Sequence, residues 1–425
     1  MTQTDQKDKV PSRERFVVSA LLTWSVWSLM YALNGAYVSQ PLLPFVFVAA
    51  LLTVILWVTP PRLRASQALK LSVVLISFSW FLYFIPGPHW PRSLAFGVVM
   101  GALVFVTTRG QWRWIGLGVG LAFALLAAAV AWHWGRDGID VFTITQGGAL
   151  SFLHGQNPYQ AWYSSTTIGV HRFHYDYGPL WILLNVPFAW LGDVRILTAL
   201  SAFGILGLAA WRFGWRNDSL LWLALLAFSP WLVWPVLQSW TELCAMALTL
   251  AWYATYQKWR WSWLLLALAL GSNPAVLVIV VPIFVLIPST RRQVVFGGVA
   301  ALSCWGGAYL VSGHDMLQAF SIAGSQGYNP SLGITGLYFV FSAHATSKVI
   351  TAVAFIAALV LAWRAHPSGV SRQEITSGLV ALVGVLFLPA TYFEYIMIVA
   401  LWFWWVVFGI AARVDEGVSG GADCR

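Results

Sequence analysis

The sequence predicts an all-α protein that crosses a membrane many times, with about 12 to 14 transmembrane helices. Of its 425 residues, 59% are hydrophobic and 9% are charged, whereas soluble domains carry about 25% charged residues. Trp and Tyr recur near the ends of apolar runs, as is typical of membrane interfaces. The 24 basic residues lie in ones and twos between these runs, which indicates membrane topology and argues against a nucleic-acid partner.

The first part of the chain predicts a cytoplasmic N-terminal segment, residues 1–15, followed by five transmembrane helices within residues 16–134. A span needs about 20 apolar residues, or fewer when the helix is partly buried. Basic residues precede the first run without a small-residue cleavage site, so we expect that run to remain attached as an anchor. The five apolar runs cover residues 16–34, 42–58, 70–85, 93–107 and 113–134.

A long polar interruption, residues 135–178, separates these spans from the rest of the chain. Loops of this length between spans are uncommon unless they are functional or disordered, and the aromatic content argues against disorder. The middle of the interruption alternates apolar and small polar residues, which predicts a helix lying in the membrane interface. We therefore interpret the interruption as a folded cap.

The remainder predicts a transmembrane core over residues 179–412 and a disordered cytoplasmic tail over residues 413–425. The first run of the core, 179–213, contains two candidate break points, Pro187 and Gly192. A later run, 261–287, reads as a hairpin broken at Asn273-Pro274. The other runs cover residues 219–236, 240–257, 294–312, 346–363, 375–390 and 395–412.

The distribution of charge predicts the orientation of these helices, because basic residues beside spans are retained in the cytoplasm. Lys and Arg concentrate in alternate loops, which places both termini inside and the interruption outside, after five spans. The acidic residues have the opposite distribution. Those expected on or near the outer face are Asp137, Asp140, Asp176, Glu242, Asp315 and Glu394.

Asp140 is the candidate catalytic residue because of its expected position relative to the membrane surface. It lies six residues after Trp134, so its carboxylate is expected at the membrane surface, near the level of a lipid phosphate. A carboxylate there can accept a proton from a sugar hydroxyl, and general-base catalysis contributes about 10² to 10⁴-fold in rate. The alternative is a solvated loop aspartate without a role.

Three segments occur in an informative order: Asp140, then Gly155-Gln156-Asn157-Pro158-Tyr159, then Tyr177-Gly178-Pro179-Leu180. This order resembles the polyprenol-phosphate-mannose-dependent mannosyltransferases of the GT-C superfamily, and most closely the actinobacterial α-mannosyltransferases of lipoglycan assembly. The segments at 238–242 and 389–395 extend the resemblance. It implies a GT-C-like fold with Asp140 as catalytic base. Where the family often has Lys-Pro, this chain has Asn273-Pro274, and a His-Asn-Asp pattern is absent.

The remaining site candidates fall into two groups. A departing phosphate needs positive partners, for which the candidates are His171, Arg172, His174, His314 and Lys348. Substrate contacts are expected from aromatic and polar residues of the outer face, since a Glu buried there unpaired would cost several kcal/mol. These are Tyr159, Tyr177, Gln238, Glu242, Asn273 and Glu394. For each group the alternative is an ordinary interfacial side chain, and Asn157 with Pro158 is better explained as a turn.

The expected activity is extracytoplasmic transfer of a sugar, mannose by resemblance, from a polyprenyl-phosphate donor to a lipid-linked or glycan acceptor, with inversion. Membrane lipids are the other expected partners. No cofactor or metal cluster is expected, although a divalent cation assisting the phosphate stays an open alternative. Two other functions also stay open: a transporter or flippase for lipid-linked saccharide, and an inactive scaffold of a glycosyltransferase complex.

Overall fold

The fold is that of a computed structural model, which describes residues 12–36, 43–59, 61, 63–64, 67–68, 71–72, 74–76, 140–165, 171–213, 223, 225–227, 229, 231–232, 235–236, 239–326, 344–365, 367, 369–386 and 393–419. The predicted spans at 93–107 and 113–134, most of those at 70–85 and 219–236, and residues Asp137 and Gln238 lie outside the described residues. The described part is mostly helical, as the sequence predicts.

The chain divides into two compact units. The first comprises Met1–Leu121, Phe213–Trp231 and Trp404–Arg425. Its first two helices are α1 (Ser12–Ala36) and α2 (Leu43–Val58), close to the predicted spans. Polar side chains join them, since the Ser19 hydroxyl donates to the Leu56 carbonyl at 2.6 Å and the Trp27 indole donates to the Thr53 hydroxyl at 3.1 Å.

The second unit comprises Ala122–Arg212 and Leu232–Phe403 and holds the predicted cap. The cap contains a helix, α3 (Asp140–Leu153), where the sequence predicts one. It also contains an antiparallel strand pair that the sequence analysis did not predict, β1 (Trp162–Ser165) and β2 (His171–His174). Such short strands, rich in polar residues, carry too little periodic signal to be recognised.

The helices of the core follow in the predicted order. After the cap come α4 (Pro179–Trp190), α5 (Arg195–Phe213), α6 (Thr241–Thr255), α7 (Trp263–Ser272), a 3-10 turn (Pro274–Val276), α8 (Leu277–Leu286), a 3-10 turn (Pro288–Thr290) and α9 (Arg291–Ser312). The last helices are α10 (His314–Gln326), α11 (His344–Arg364), α12 (Val370–Leu386) and α13 (Phe393–Ser419). Helix α10 was not predicted.

Both predicted interruptions of the core are present. Between α4 and α5 the chain turns at Gly192, whose φ of +107° favours glycine, while Pro187 lies inside α4. At Asn273 the axes of α7 and the following helix differ by 120°. Pro274 causes this break, because it lacks the N–H that would bond to the Leu270 carbonyl.

Some described helices are long and apolar enough to cross a membrane. By length and apolar composition these are Arg195–Arg212, Pro288–Ser312 and, taken together, the bent pair Trp263–Ser272 with Pro274–Leu286. The apolar face of α9 is open, with Leu310 84% and Val311 89% exposed. Exposed apolar surface of this extent is typical of a helix that faces another apolar phase.

Candidate functional site

Helix α3 begins at Asp140 and is fixed by close packing along one face. Gly147 and Gly148 lie against two tyrosine rings, because a Cβ at Gly147 would be 2.3 Å from the Tyr163 ring and one at Gly148 would be 2.4 Å from the Tyr175 ring. No larger residue fits at either position without displacing a ring. The glycine pair therefore allows the cap to close tightly on the helix that Asp140 opens.

The cap has a tyrosine-rich core of its own. Tyr159, Tyr163 and Tyr175 are buried in a cluster with Trp181 of α4. The Tyr163 hydroxyl donates to the Pro158 carbonyl at 2.9 Å and the Tyr159 hydroxyl to the Tyr177 carbonyl at 3.1 Å. Burial raises the pKa of all three tyrosines, so the phenols remain neutral donors. Tyr159, a substrate candidate, is only 2% exposed and serves this core.

Asn157 forms the turn that the sequence predicts and also a link that it does not. Its side-chain oxygen accepts from the Tyr159 backbone N–H at 3.1 Å, which closes the turn. Its amide nitrogen donates to Asp315 at 3.1 Å. Since Asp315 lies in the first turn of α10, the hydrogen bond joins the cap to a helix 158 residues further along the chain.

Gly178 docks the end of the cap onto the break between α7 and α8. Its N–H donates to the Ser272 carbonyl at 3.0 Å, and a Cβ there would lie 2.1 Å from the Gly271 carbonyl oxygen. Only glycine permits this approach of two backbones. The segment Tyr177-Gly178-Pro179 is thereby held directly against the broken helix.

The break itself carries a buried polar cluster. The Asn273 amide nitrogen donates to the Glu242 carboxylate at 2.7 Å and to the Thr241 hydroxyl at 2.6 Å. Its oxygen accepts from the Ala275 N–H at 2.8 Å. The Trp305 indole donates to the Leu270 carbonyl at 3.2 Å and replaces the bond that Pro274 cannot make. Glu242 is 4% exposed, and a buried carboxylate of this kind needs such a donor.

A strained turn leads into this cluster. Ser239 has φ +60°, a left-handed conformation that a non-glycine residue rarely adopts. The Ser239 N–H bonds to the Val236 carbonyl at 3.3 Å and the Trp240 N–H to the Pro235 carbonyl at 2.9 Å, the pattern of a Schellman turn. Strain of this kind costs about 1 to 3 kcal/mol and often accompanies functional sites. Here the turn lies just before the start of α6 at Thr241, and Ser239 is three residues before Glu242.

The cationic candidates are distributed over three elements. His171, Arg172 and His174 all lie on β2, where Arg172 pairs with Ser164 and His174 with Trp162. His174 is buried beneath the Trp162 ring at a centroid distance of 3.7 Å. Neither of its ring nitrogens has a hydrogen-bond partner among the described residues. His314 begins α10 and Lys348 lies in the first turns of α11.

Two further candidates lie at the starts of helices. Asp140 is the first residue of α3, and Glu394 is the second of α13. The contacts that bring candidates together involve Tyr159, Tyr177, Glu242 and Asn273. In the part of the chain that the structure describes, no group of three or more His, Cys, Asp or Glu is placed to hold a metal ion.

Sequence reasoning missed the anchor of the cap at the start of α5. Asp193 and Arg195 form a buried ion pair, and the Val194 N–H donates to the Gln146 side-chain oxygen at 3.0 Å. The available signal was Asp193 placed just before an apolar run, which is typical of a helix N-cap.

Among known proteins, no family model, curated protein or solved structure matches this chain. The family resemblance therefore depends on the short sequence motifs alone.

Proposed function

We propose that the chain is an integral membrane protein with the cap on the extracytoplasmic side. The helix ends support this orientation. Arg212 lies in the last turn of α5, Lys258 and Arg260 follow α6, and Arg364 ends α11. The opposite end of α5 contacts the cap, and the opposite end of α6 carries the buried polar cluster. Basic residues are favoured at cytoplasmic ends.

Within that membrane protein we propose a glycosyltransferase that moves a sugar, mannose by resemblance, from a polyprenyl-phosphate donor to a lipid-linked or glycan acceptor. The observation that carries the proposal is the docking of Gly178 against Gly271 and Ser272. It brings the part of the cap that holds Tyr159 and Tyr177 against the break at Asn273, whose side chain bonds to Glu242. The cap motif that ends in Tyr159, the segment at Tyr177-Gly178 and the break at Asn273 are therefore neighbours.

In the proposed reaction Asp140 acts as general base. Its carboxylate takes the proton of the acceptor hydroxyl, whose oxygen forms a bond to the anomeric carbon of the donor. The bond from that carbon to the phosphate oxygen breaks on the opposite face, and polyprenyl phosphate leaves with the electron pair. The configuration at the anomeric carbon therefore inverts. Transfer from a lipid-phosphate donor needs no nucleotide-binding domain.

The other candidates have roles around this step. Positive charge near the leaving phosphate stabilises the transition state as negative charge develops, and Arg172, His171, His174, His314 and Lys348 stay the candidates for that role. Glu242 and Asn273 form a buried hydrogen-bonding pair and stay candidates for contacts with sugar hydroxyls. Gln238, Tyr177 and Glu394 stay candidates for further substrate contacts.

The decisive experiment measures transfer from synthetic polyprenyl phosphate mannose by the purified protein. Asp140→Asn is expected to lower kcat by about 10² to 10⁴-fold while the protein remains folded. Asp415→Asn, in the C-terminal part of α13, is the matched control and should leave kcat unchanged. Wild-type kcat in Asp140→Asn would remove the general-base assignment, and an inactive wild type with this and other polyprenyl phosphate sugars would remove the proposed function.

A transporter of lipid-linked saccharide is the second candidate, and two observations favour it. The helices flanking the break, α7 and α8, each have 10 residues, or about 15 Å, and broken helices with polar residues at the break are typical of transporter sites. Another buried carboxylate, Glu374, accepts a 2.9 Å hydrogen bond from Tyr253 near the other end of α6. Loss of saccharide transport in Glu374→Gln with normal sugar transfer would support this function.

A further inference from the structure

The start of α5 carries a buried ion pair that the proposed chemistry does not use. The Arg195 guanidinium bonds to both carboxylate oxygens of Asp193, with the Nε atom 2.9 Å from each. Asp193 also accepts from the Arg195 backbone N–H at 2.8 Å and so caps the helix. Asp193 is 4% and Arg195 8% exposed. Because buried ion pairs often contribute little net stability, the geometry that this pair imposes is of more interest than its energy.

The pair faces helix α3 of the cap. The Arg195 guanidinium carbon lies 4.5 Å from the centroid of the Phe142 ring. One turn further along α3, Gln146 accepts the hydrogen bond from the Val194 N–H at 3.0 Å. Phe142 and Val194 also belong to one buried apolar cluster. The residues between α4 and α5 and at the start of α5 therefore contact α3 at two successive helical turns.

Both contacts restrict how α3 can rotate and slide. A guanidinium binds an aromatic face only when its plane and position are right, and the two bonds to Asp193 fix that plane. The hydrogen bond to Gln146 fixes the height of α3 along its axis. Phe142 follows Asp140 by two residues, so these restraints act within the first turns of the helix that Asp140 opens.

We propose that Arg195 and Asp193 are positioning residues that set the orientation of α3 and, through it, the place of the Asp140 carboxylate. The inference depends on the proposed function, in which Asp140 is the general base. A misplacement of about 1 Å can lower the rate of an enzymatic step by about 100-fold. Loss of these contacts with α3 should therefore lower kcat more than it weakens substrate binding.

The test removes the ring beneath the guanidinium with Phe142→Leu and keeps it with Phe142→Tyr. The matched control is Trp211→Leu, because Lys258 lies 5.5 Å from the Trp211 ring centroid at the other end of α5. Hydrogen exchange of residues 140–153 measures how firmly α3 is held, and it does not require activity. Transfer of mannose gives kcat and KM separately, and the thermal midpoint reports on stability.

We expect faster exchange in α3 and a kcat about 10-fold lower or more in Phe142→Leu, with unchanged KM and near-normal behaviour in Phe142→Tyr and Trp211→Leu. Unchanged exchange in α3 overturns the inference, as does faster exchange with wild-type kcat. A fall in the thermal midpoint with wild-type kcat per folded molecule also overturns it, because that is the result of a purely structural role. An inactive wild type would instead refute the proposed function, and exchange would still decide whether the pair holds α3.

Discussion

The side-chain amide of Asn273 donates a 2.7 Å hydrogen bond to the carboxylate of Glu242, 31 residues earlier in the chain. This bond places a neutral donor where proteins of the resembled family often have a lysine before the proline. The amide also bonds to Thr241 and caps the turn that follows. The Asn273 side chain therefore forms hydrogen bonds with three groups: the Ala275 N–H after the break, the Thr241 hydroxyl at the start of α6 and the buried Glu242 carboxylate.

Asn273→Ala should lower the free energy of unfolding by about 2 kcal/mol or more, because it removes one donor of a buried carboxylate and the hydrogen bonds to Thr241 and Ala275. Thermal unfolding in detergent measures the loss. Glu242→Gln in the same background should recover part of it, since a neutral amide is less costly to bury. A double variant as unstable as Asn273→Ala alone would contradict this account.

Gly178→Ala should separate the cap from the break. Its Cβ would lie 2.1 Å from the Gly271 carbonyl oxygen, and overpacking of this kind costs about 1 to 3 kcal/mol. Limited proteolysis within residues 140–178 and thermal unfolding would detect the change. Gly204→Ala in α5 is the matched control, because a Cβ there meets open space and alanine is the better helix former. Equal effects of the two substitutions would argue against the docking.

Tyr159→Phe separates a structural role from a substrate role. It removes the hydrogen bond to the Tyr177 carbonyl, so we expect a loss of about 1 kcal/mol in stability. Because the ring stays buried, KM for donor and acceptor should not change. A several-fold rise in KM without loss of stability would instead assign Tyr159 to the substrate.

Ser239→Gly should stabilise the protein by up to about 1 kcal/mol, because glycine adopts the φ of +60° without strain. Ser239→Ala keeps the strained conformation and is the control. Comparison of the two thermal midpoints measures the strain. If Ser239→Gly is no more stable than Ser239→Ala, the turn stores no strain that glycine can release.

The cap should lose stability in alkaline solution. Burial raises the pKa of Tyr159 and Tyr175 above the ordinary value, which is about 10. The unfolded phenols ionise first, so their contribution to stability is complete below about pH 10 and declines above it. Unfolding of the cap between about pH 9 and pH 11, followed by tyrosinate absorbance, should show this decline, and Tyr159→Phe should make it less steep. Tyrosinate formation before unfolding would contradict the assignment.

Local sequence patterns predicted the elements that depend on residues close together in the chain. Apolar runs matched helices such as α2 and α9, the pair Asn273-Pro274 matched the break, and Asn157 matched a turn. The structure was needed to decide whether the run 179–213 breaks at Pro187 or at Gly192, because proline is tolerated inside a helix when neighbouring groups compensate. The strand pair was missed, since two four-residue strands are defined by their pairing and by the Tyr163 ring packed on Gly147.

The sequence by itself determined the helical class and the order of the segments, because hydrophobicity, proline and charge act within a few residues. Only the tertiary structure decided which of these segments meet. The contacts of Gly178 with Gly271, Asn273 with Glu242 and Arg195 with Phe142 join residues 31 to 93 positions apart. Such contacts depend on the burial of whole helices against one another, which no local pattern encodes.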